Sequence, residues 1–230
     1  MLRLVGFFVL VLLALQVLRL LPFVGGFFRS SFLGFWLAAI LVSFVLSRFA
    51  TRALDRGRLQ RQKRALGAVE TPHNQGKLGA LLLSSGDARR AIEPLRRAVA
   101  GEPRSVEWRY RLGSALLATG RADEALVELE QAAALNEEHA YGAVLLRQTA
   151  ALERLGRDEE ALAVLARFER NHGPSPESAY RRGRLLRALG RREEARESFR
   201  KVGKLAAQAA GFQRGEARGW AARAWVARVF

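Results

Sequence analysis

The stretch His73–Pro103 reads HNQGKLGALLLSSGDARRAIEPLRRAVAGEP, and its punctuation decides the architecture. An apolar run around Leu78, Leu82 and Leu83 keeps helical spacing and stops at Ser84-Ser85-Gly86. Glycine there can take the left-handed conformation that ends a helix without a Cβ penalty. Asp87 can then cap a second helix, whose inward face carries Ala91, Leu95 and Ala98 at i, i+4, i+7. Pro103 closes the unit. One helix, one tight turn and a second helix therefore follow from thirty-one residues.

Outward from this stretch the same punctuation returns. Gly86, Gly120, Gly156 and Gly190 are each followed five residues later by Ala91, Ala125, Ala161 and Ala195, at intervals of 34, 36 and 34. A fixed period of this size marks a stacked helical array, in which each pair of helices buries its apolar face only against its neighbours. Gly79 and Gly113 are small where two helices must approach closely. Leu78, Gly79, Leu82, Gly86, Ala91, Leu95, Ala98 and Pro103 fill the columns of a Leu-Gly pair, a large residue, a turn Gly, a small Ala, an apolar residue, a second Ala and a Pro. This pattern resembles the tetratricopeptide repeat (TPR) family. The second unit keeps every column but the last, where Glu137 replaces Pro. The third is looser: Gln148-Thr149 replace Leu-Gly, Phe168 replaces the last Ala, and two residues are inserted before it. The fourth keeps Gly183, Leu186, Gly190, Ala195 and Phe199, with Arg182 and Val202 as departures. The resemblance implies an all-α solenoid over 70–207, with units at about 72–105, 106–139, 142–175 and 176–207.

The first part of the chain reads differently. Leu4–Leu21 and Phe32–Leu46 are apolar and approach the ~20 residues that span a bilayer. Between them PFVGGFFRSS reads as a tight turn, with Arg19 and Arg29 able to reach one interface. A transmembrane helical hairpin is expected over 1–47, with a re-entrant hairpin as the alternative. A cleaved leader fits less well, because no small-x-small site follows the first stretch. A basic juxtamembrane segment follows at 48–69, where Arg48, Arg52, Arg56, Arg58, Arg61, Lys63 and Arg64 face a single acid, Asp55. The positive-inside rule places both ends of the hairpin, and the repeats, in the cytoplasm. The cluster suits anionic lipid, or serves as a topology signal alone. This organisation is similar to that of bacterial inner-membrane TPR proteins, which implies a multi-pass location there.

Charge separates the regions further. Of the net +16, residues 1–64 carry +9, residues 65–195 carry +1 and residues 196–230 carry +6. A near-neutral array lacks the basic stripe expected of a nucleic-acid binder. No catalytic constellation, phosphate loop or zinc spacing is legible: His73, His139 and His172 are far apart and there is no Cys. Neither a cofactor nor a metal is expected, nor an enzyme.

In TPR arrays the first helix of each pair lines the concave face, which takes a peptide or a helix. Lys77, Arg111, Arg147 and Arg181 share one column there, preceded by Tyr110, Leu146 and Tyr180 in three units, and Arg184 adds charge in the fourth. Such a column suits an acidic or carboxylate-ended peptide. The Asn residues of chaperone-binding carboxylate clamps are missing. The alternative is a solvated face paired with Glu107, Glu153 and Glu177. Reversing Arg111, Arg147 and Arg181 to Glu should then abolish partner binding without unfolding the array. Trp108 reads as core. The segment 208–230, with Trp220, Trp225, Phe230, Arg218, Arg223 and Arg228, reads as a cap on the last unit, with membrane contact as the alternative. A membrane-anchored adaptor for a protein partner is the function this reading implies. A homo-oligomeric, self-associating membrane scaffold is the alternative.

Overall fold

A computed structural model of the chain describes residues 44, 57, 59–68 and 70–229. The chain divides into two compact units, Met1–Ala65 and Leu66–Phe230. In the first, the described residues are helical. The expected hairpin and the residues Arg48, Arg52, Arg56 and Arg58 lie outside the described residues. Arg61 and Arg64 are exposed on the helical stretch 59–68, with Lys63 half-buried among them. Among the described residues, no helix is long and apolar enough to cross a membrane.

The second unit contains, among its described residues, nine α-helices, a one-turn 3-10 helix and no strand. Four antiparallel pairs come first: α1 (Pro72–Ser84) with α2 (Ala88–Gly101), α3 (Val106–Ala118) with α4 (Ala122–Asn136), α5 (His139–Arg154) with α6 (Asp158–His172), and α7 (Pro176–Ala188) with α8 (Arg192–Gln208). A single helix, α9 (Arg214–Val229), follows. The within-pair turns rest on the periodic glycines: Gly86, Gly120, Gly156 and Gly190 have φ of 85°, 85°, 70° and 76°. Residues after them donate back into the preceding helix, as Arg121 N does to the Leu116 carbonyl at 3.0 Å.

Three of the four first helices, α1, α3 and α7, start on side-chain caps, whereas α5 begins at Glu138 without one. Thr71 accepts from Asn74 N, Ser105 accepts from Trp108 N, and Ser175 with Ser178 forms a reciprocal capping box. The second helices use a different device that the sequence reading missed. Asp87 caps α2, but α4, α6 and α8 begin at Arg121, Arg157 and Arg191, which supply no side-chain cap. Each of these arginines instead donates two bonds, at 2.6–2.7 Å, to the Glu three residues on: Glu124, Glu160 and Glu194. The fork fixes a carboxylate in the first turn, where the helix dipole favours it. Those three carboxyls are accordingly held below the ordinary carboxylate range, first by the arginine hydrogen bond.

Packing follows the small residues. Ala91, Leu95, Ala98, Ala125, Leu129, Ala132, Ala161 and Leu165 are fully buried. A Cβ on Gly113 would lie 2.6 Å from Leu129 Cγ, so α3 and α4 approach as closely as a glycine allows. The two-residue insertion in the third unit also has a structural place. Ala140, Tyr141 and Gly142 are left-handed (φ 53°, 57° and 72°), and regular α5 resumes after them. The extra residues are taken up as one turn of opposite hand, which leaves Tyr141 90% exposed. Gln148, in the column where Leu is expected, is buried with Oε1 unpartnered among the described residues, and Thr149 beside it returns its hydroxyl to the Leu145 carbonyl at 2.8 Å.

Two apolar clusters result. One runs from Leu82 to Leu185, and the second gathers Ala179, Leu186, Ala195, Phe199, Val202 and Ala224. The second cluster includes α9, whose Trp220 lies against Tyr180 at 5.5 Å between ring centroids. The inward face of α9 thus packs against the fourth helix pair.

Candidate functional site

The first helices form an inner layer, in which α1 touches α3, α3 touches α5, and α7 touches α9. The cation column runs along this layer, and the structure treats its members differently. Arg181 donates from α7 to Glu177 on its own helix at 2.8 Å and to Glu153 on α5 at 3.2 Å. Arg184 also approaches Glu153, at 3.1 Å. Side-chain exposure is 13% for Arg181 and 11% for Glu153, so this pair is largely removed from water. Arg111 donates to Glu107 one turn earlier, and Glu107 also meets His139 Nε2 at 2.9 Å. Lys77 and Arg147 are exposed and have no ion-pair or hydrogen-bond partner among the described residues.

The column is thus two free cations alternating with two paired ones. Arg181 ties α7 to α5 and Arg111 pairs with Glu107 on its own helix, in the pairing with Glu107, Glu153 and Glu177 read above as the alternative. Charge reversal at Arg181 would set a third carboxylate beside Glu153 and Glu177. The triple reversal would therefore disturb the fold as well as any groove, and Lys77 and Arg147 are the positions that report on binding alone.

The aromatic companions are also partly committed. Tyr110 meets the His139 ring edge-on at 5.6 Å, and Tyr180 lies between Phe199 and Trp220 at 5.8 and 5.5 Å. Both are half-buried. Arg187 is drawn toward α9, donating to the Ala227 carbonyl at 3.2 Å and lying 5.8 Å over Phe199. Ser114 Oγ, on α3, is buried without a partner among the described residues.

Contacts that the sequence reading missed stabilise the edges of this layer. Arg109 donates to Glu128 at 2.7 Å, and Trp108 Nε1 donates to Glu102 at 2.8 Å. Arg154 donates to the Leu117 carbonyl, bridging the second and third units. Glu137 takes Arg167 and Asn171, and its carboxyl is held below the ordinary range chiefly by Arg167. None of these could be found from the periodicity, because they are made by long side chains reaching out of the repeat columns. Among the described residues, no group of His, Cys, Asp and Glu could hold a metal ion.

Two family models, both described as tetratricopeptide repeat, match residues 82–149 and 150–210. Together they span more than half of the chain. This chain belongs to the tetratricopeptide repeat family. Solved structures agree in fold. A crystal structure of MamA protein is 24% identical, with a TM-score of 0.58 over 67% of this chain and 84% of that one. The MamA RS-1 ArsTM double mutant is 20% identical, with a TM-score of 0.61 over 71% and 94%. TTC0263, a thermophilic TPR protein in Thermus thermophilus, is 22% identical, with a TM-score of 0.56 over 78% and 96%. At these identities the likeness is one of fold. No curated protein matches the sequence. TPR repeat proteins are in general binding scaffolds that catalyse nothing, and the protein-interaction role follows at that level.

Proposed function

We propose that this protein is a membrane-anchored adaptor whose inner TPR face receives an acidic or carboxylate-ended segment of a partner protein. The observation that carries the reading is the pair of exposed cations, Lys77 and Arg147, without a partner among the described residues, in one column of the inner layer, with Leu146 one residue before Arg147. Two cations two repeats apart suit an extended chain crossing several helices, since each contributes a charge-assisted contact while the array stays fixed. The apolar stretches at 4–21 and 32–46 and the basic segment after them support anchoring in a bacterial inner membrane, with the repeats on the cytoplasmic side.

The test is affinity capture from native membranes with the full chain and with Lys77→Glu/Arg147→Glu. A protein retained by the wild type and lost by the variant supports the groove; equal retention removes it. Extraction at alkaline pH should leave the chain in the membrane pellet, and release into the supernatant would remove the anchor. A second reading, self-association, draws on Val127 and Leu135, which stand exposed on α4. Mass in mild detergent separates the two, since a homo-oligomer favours self-association.

A further inference from the structure

Helix α9 has two faces, and capping the fourth repeat uses only one. Ala217 and Ala224 are buried, and Trp220, Ala221 and Ala227 are half-buried on the same side. The other side carries Trp225, 67% exposed, and Val226, 48% exposed, with Arg214, Arg218, Ala222 and Arg228 also exposed around them. A large aromatic and a valine left in water beside three arginines are not a solvated surface of the ordinary kind. Arg223, which on a helical wheel sits well away from Arg218, is folded over the Trp220 ring at 4.5 Å. It is therefore drawn toward the capping side and stands apart from the outer face, which keeps Arg214, Arg218 and Arg228. Between 214 and 229 there are four arginines and a single acid, Glu216.

We propose that this outer face of α9 docks on an anionic bilayer surface, with Trp225 and Val226 entering the interface and Arg214, Arg218 and Arg228 meeting lipid phosphates. Three features select a bilayer over a protein groove. Trp is amphipathic and favours the headgroup level. The arginines flank the apolar residues along the helix, which lets their stems lie flat while the guanidinium groups meet phosphate. The charge is one-signed, as an anionic sheet demands and a mixed protein interface does not. This inference is independent of the groove, and shares with the proposed anchor only the membrane itself.

The experiment uses the full chain. Because the sequence contains no Cys, an Ala222→Cys substitution gives a single attachment point for an environment-sensitive fluorophore on the exposed face. The labelled chain is mixed with phosphatidylcholine vesicles, with and without phosphatidylglycerol as about one third of the lipid. Docking predicts a blue-shifted, brightened emission only with the anionic vesicles, reversed by high salt. Each exposed arginine removed should weaken the salt-sensitive component by about fivefold. Arg218→Glu/Arg228→Glu and Trp225→Ser should each abolish the shift while leaving the helical melting curve unchanged, because all three side chains are exposed. Vesicle flotation of the same variants separates this contact from the anchor: variants that float yet show no shift have lost the tail contact alone. Emission that is the same with both vesicle types overturns the proposal. A shift that grows with protein concentration in the absence of lipid also overturns it, and makes a second copy of the chain the occupant.

Discussion

The close helix approach in the second repeat makes a quantitative test of why the array needs small residues at fixed columns. Gly113 lies mid-helix in α3, where Ala is favoured over Gly by about 1 kcal/mol. Against that gain, a methyl at 113 would sit 2.6 Å from Leu129 Cγ, 3.0 Å from its Cδ2 and 3.2 Å from the Ala125 carbonyl oxygen. Unstrained carbon contacts lie near 3.5–4.0 Å. Leu129 has no exposed surface, so it yields only by leaving its rotamer, and over-packing of this kind costs about 1–3 kcal/mol. Gly113→Ala alone should therefore destabilise by about 0–2 kcal/mol, the difference of those two effects. Leu129→Ala alone should cost about 2–5 kcal/mol. In the double variant the obstructing carbons are gone and the new methyl enters the space they leave. The loss should then fall short of the sum by about 1–3 kcal/mol, with rescue incomplete because the Ala125 oxygen belongs to backbone that cannot withdraw. Urea unfolding of the four proteins, followed by far-UV circular dichroism, measures the cycle. Additivity within about 0.5 kcal/mol would refute the claim that these helices are in contact at this column.

Three further outcomes are expected. Gly120→Val should cost about 1–2 kcal/mol through backbone conformation alone, because φ is 85° and an added Cβ meets nothing within 4 Å; an unchanged melting curve would contradict it. Glu153→Gln should destabilise by about 1–3 kcal/mol, since it withdraws charge from the largely buried Arg181, and Arg147→Glu should cost less than Arg181→Glu in the same assay. Glu124, Glu160 and Glu194 have lowered pKa values, so their contribution is complete above the ordinary carboxylate pKa and is lost as pH falls through the lowered one; melting temperature should decline below about pH 4.5, with a flatter decline when all three are Gln.

The fold was legible because its punctuation is backbone chemistry. Glycines at φ near 80° and alanines at closest approach leave a trace in residue identity, and both recur with the period. The insertion was legible as a count of two residues, but its left-handed form at Ala140-Tyr141-Gly142 was not, because Ala and Tyr do not advertise positive φ. The candidate site was legible only as a column. Which cations are free depends on acids one repeat away: Glu153 reaches Arg181 and Arg184, while Arg147 finds no acid among the described residues. Spacing along the sequence cannot say that, because it is decided by how α5 and α7 meet. The tail shows the same limit, since the sequence sets Arg223 against Arg218 on the wheel, and only its placement over Trp220 shows that it belongs with the capping side.

Gly76 and Trp108 together limit how this array could have been assembled. A Cβ at Gly76 would come within 2.6 Å of Trp108 Cδ2, so the first unit makes room for the second by having no side chain there. The column of Gly76 continues as Tyr110, Leu146 and Tyr180, and that of Trp108 as Val144 and Ser178. Small faces large at the first junction, and the pairing shifts to large with medium and then medium with small. A tandem copy of the second unit would set a tryptophan against Tyr110. The order of the first two units is therefore fixed by that junction: duplicating the second unit would drive a tryptophan into a tyrosine, even though both copies carry the same repeat signature.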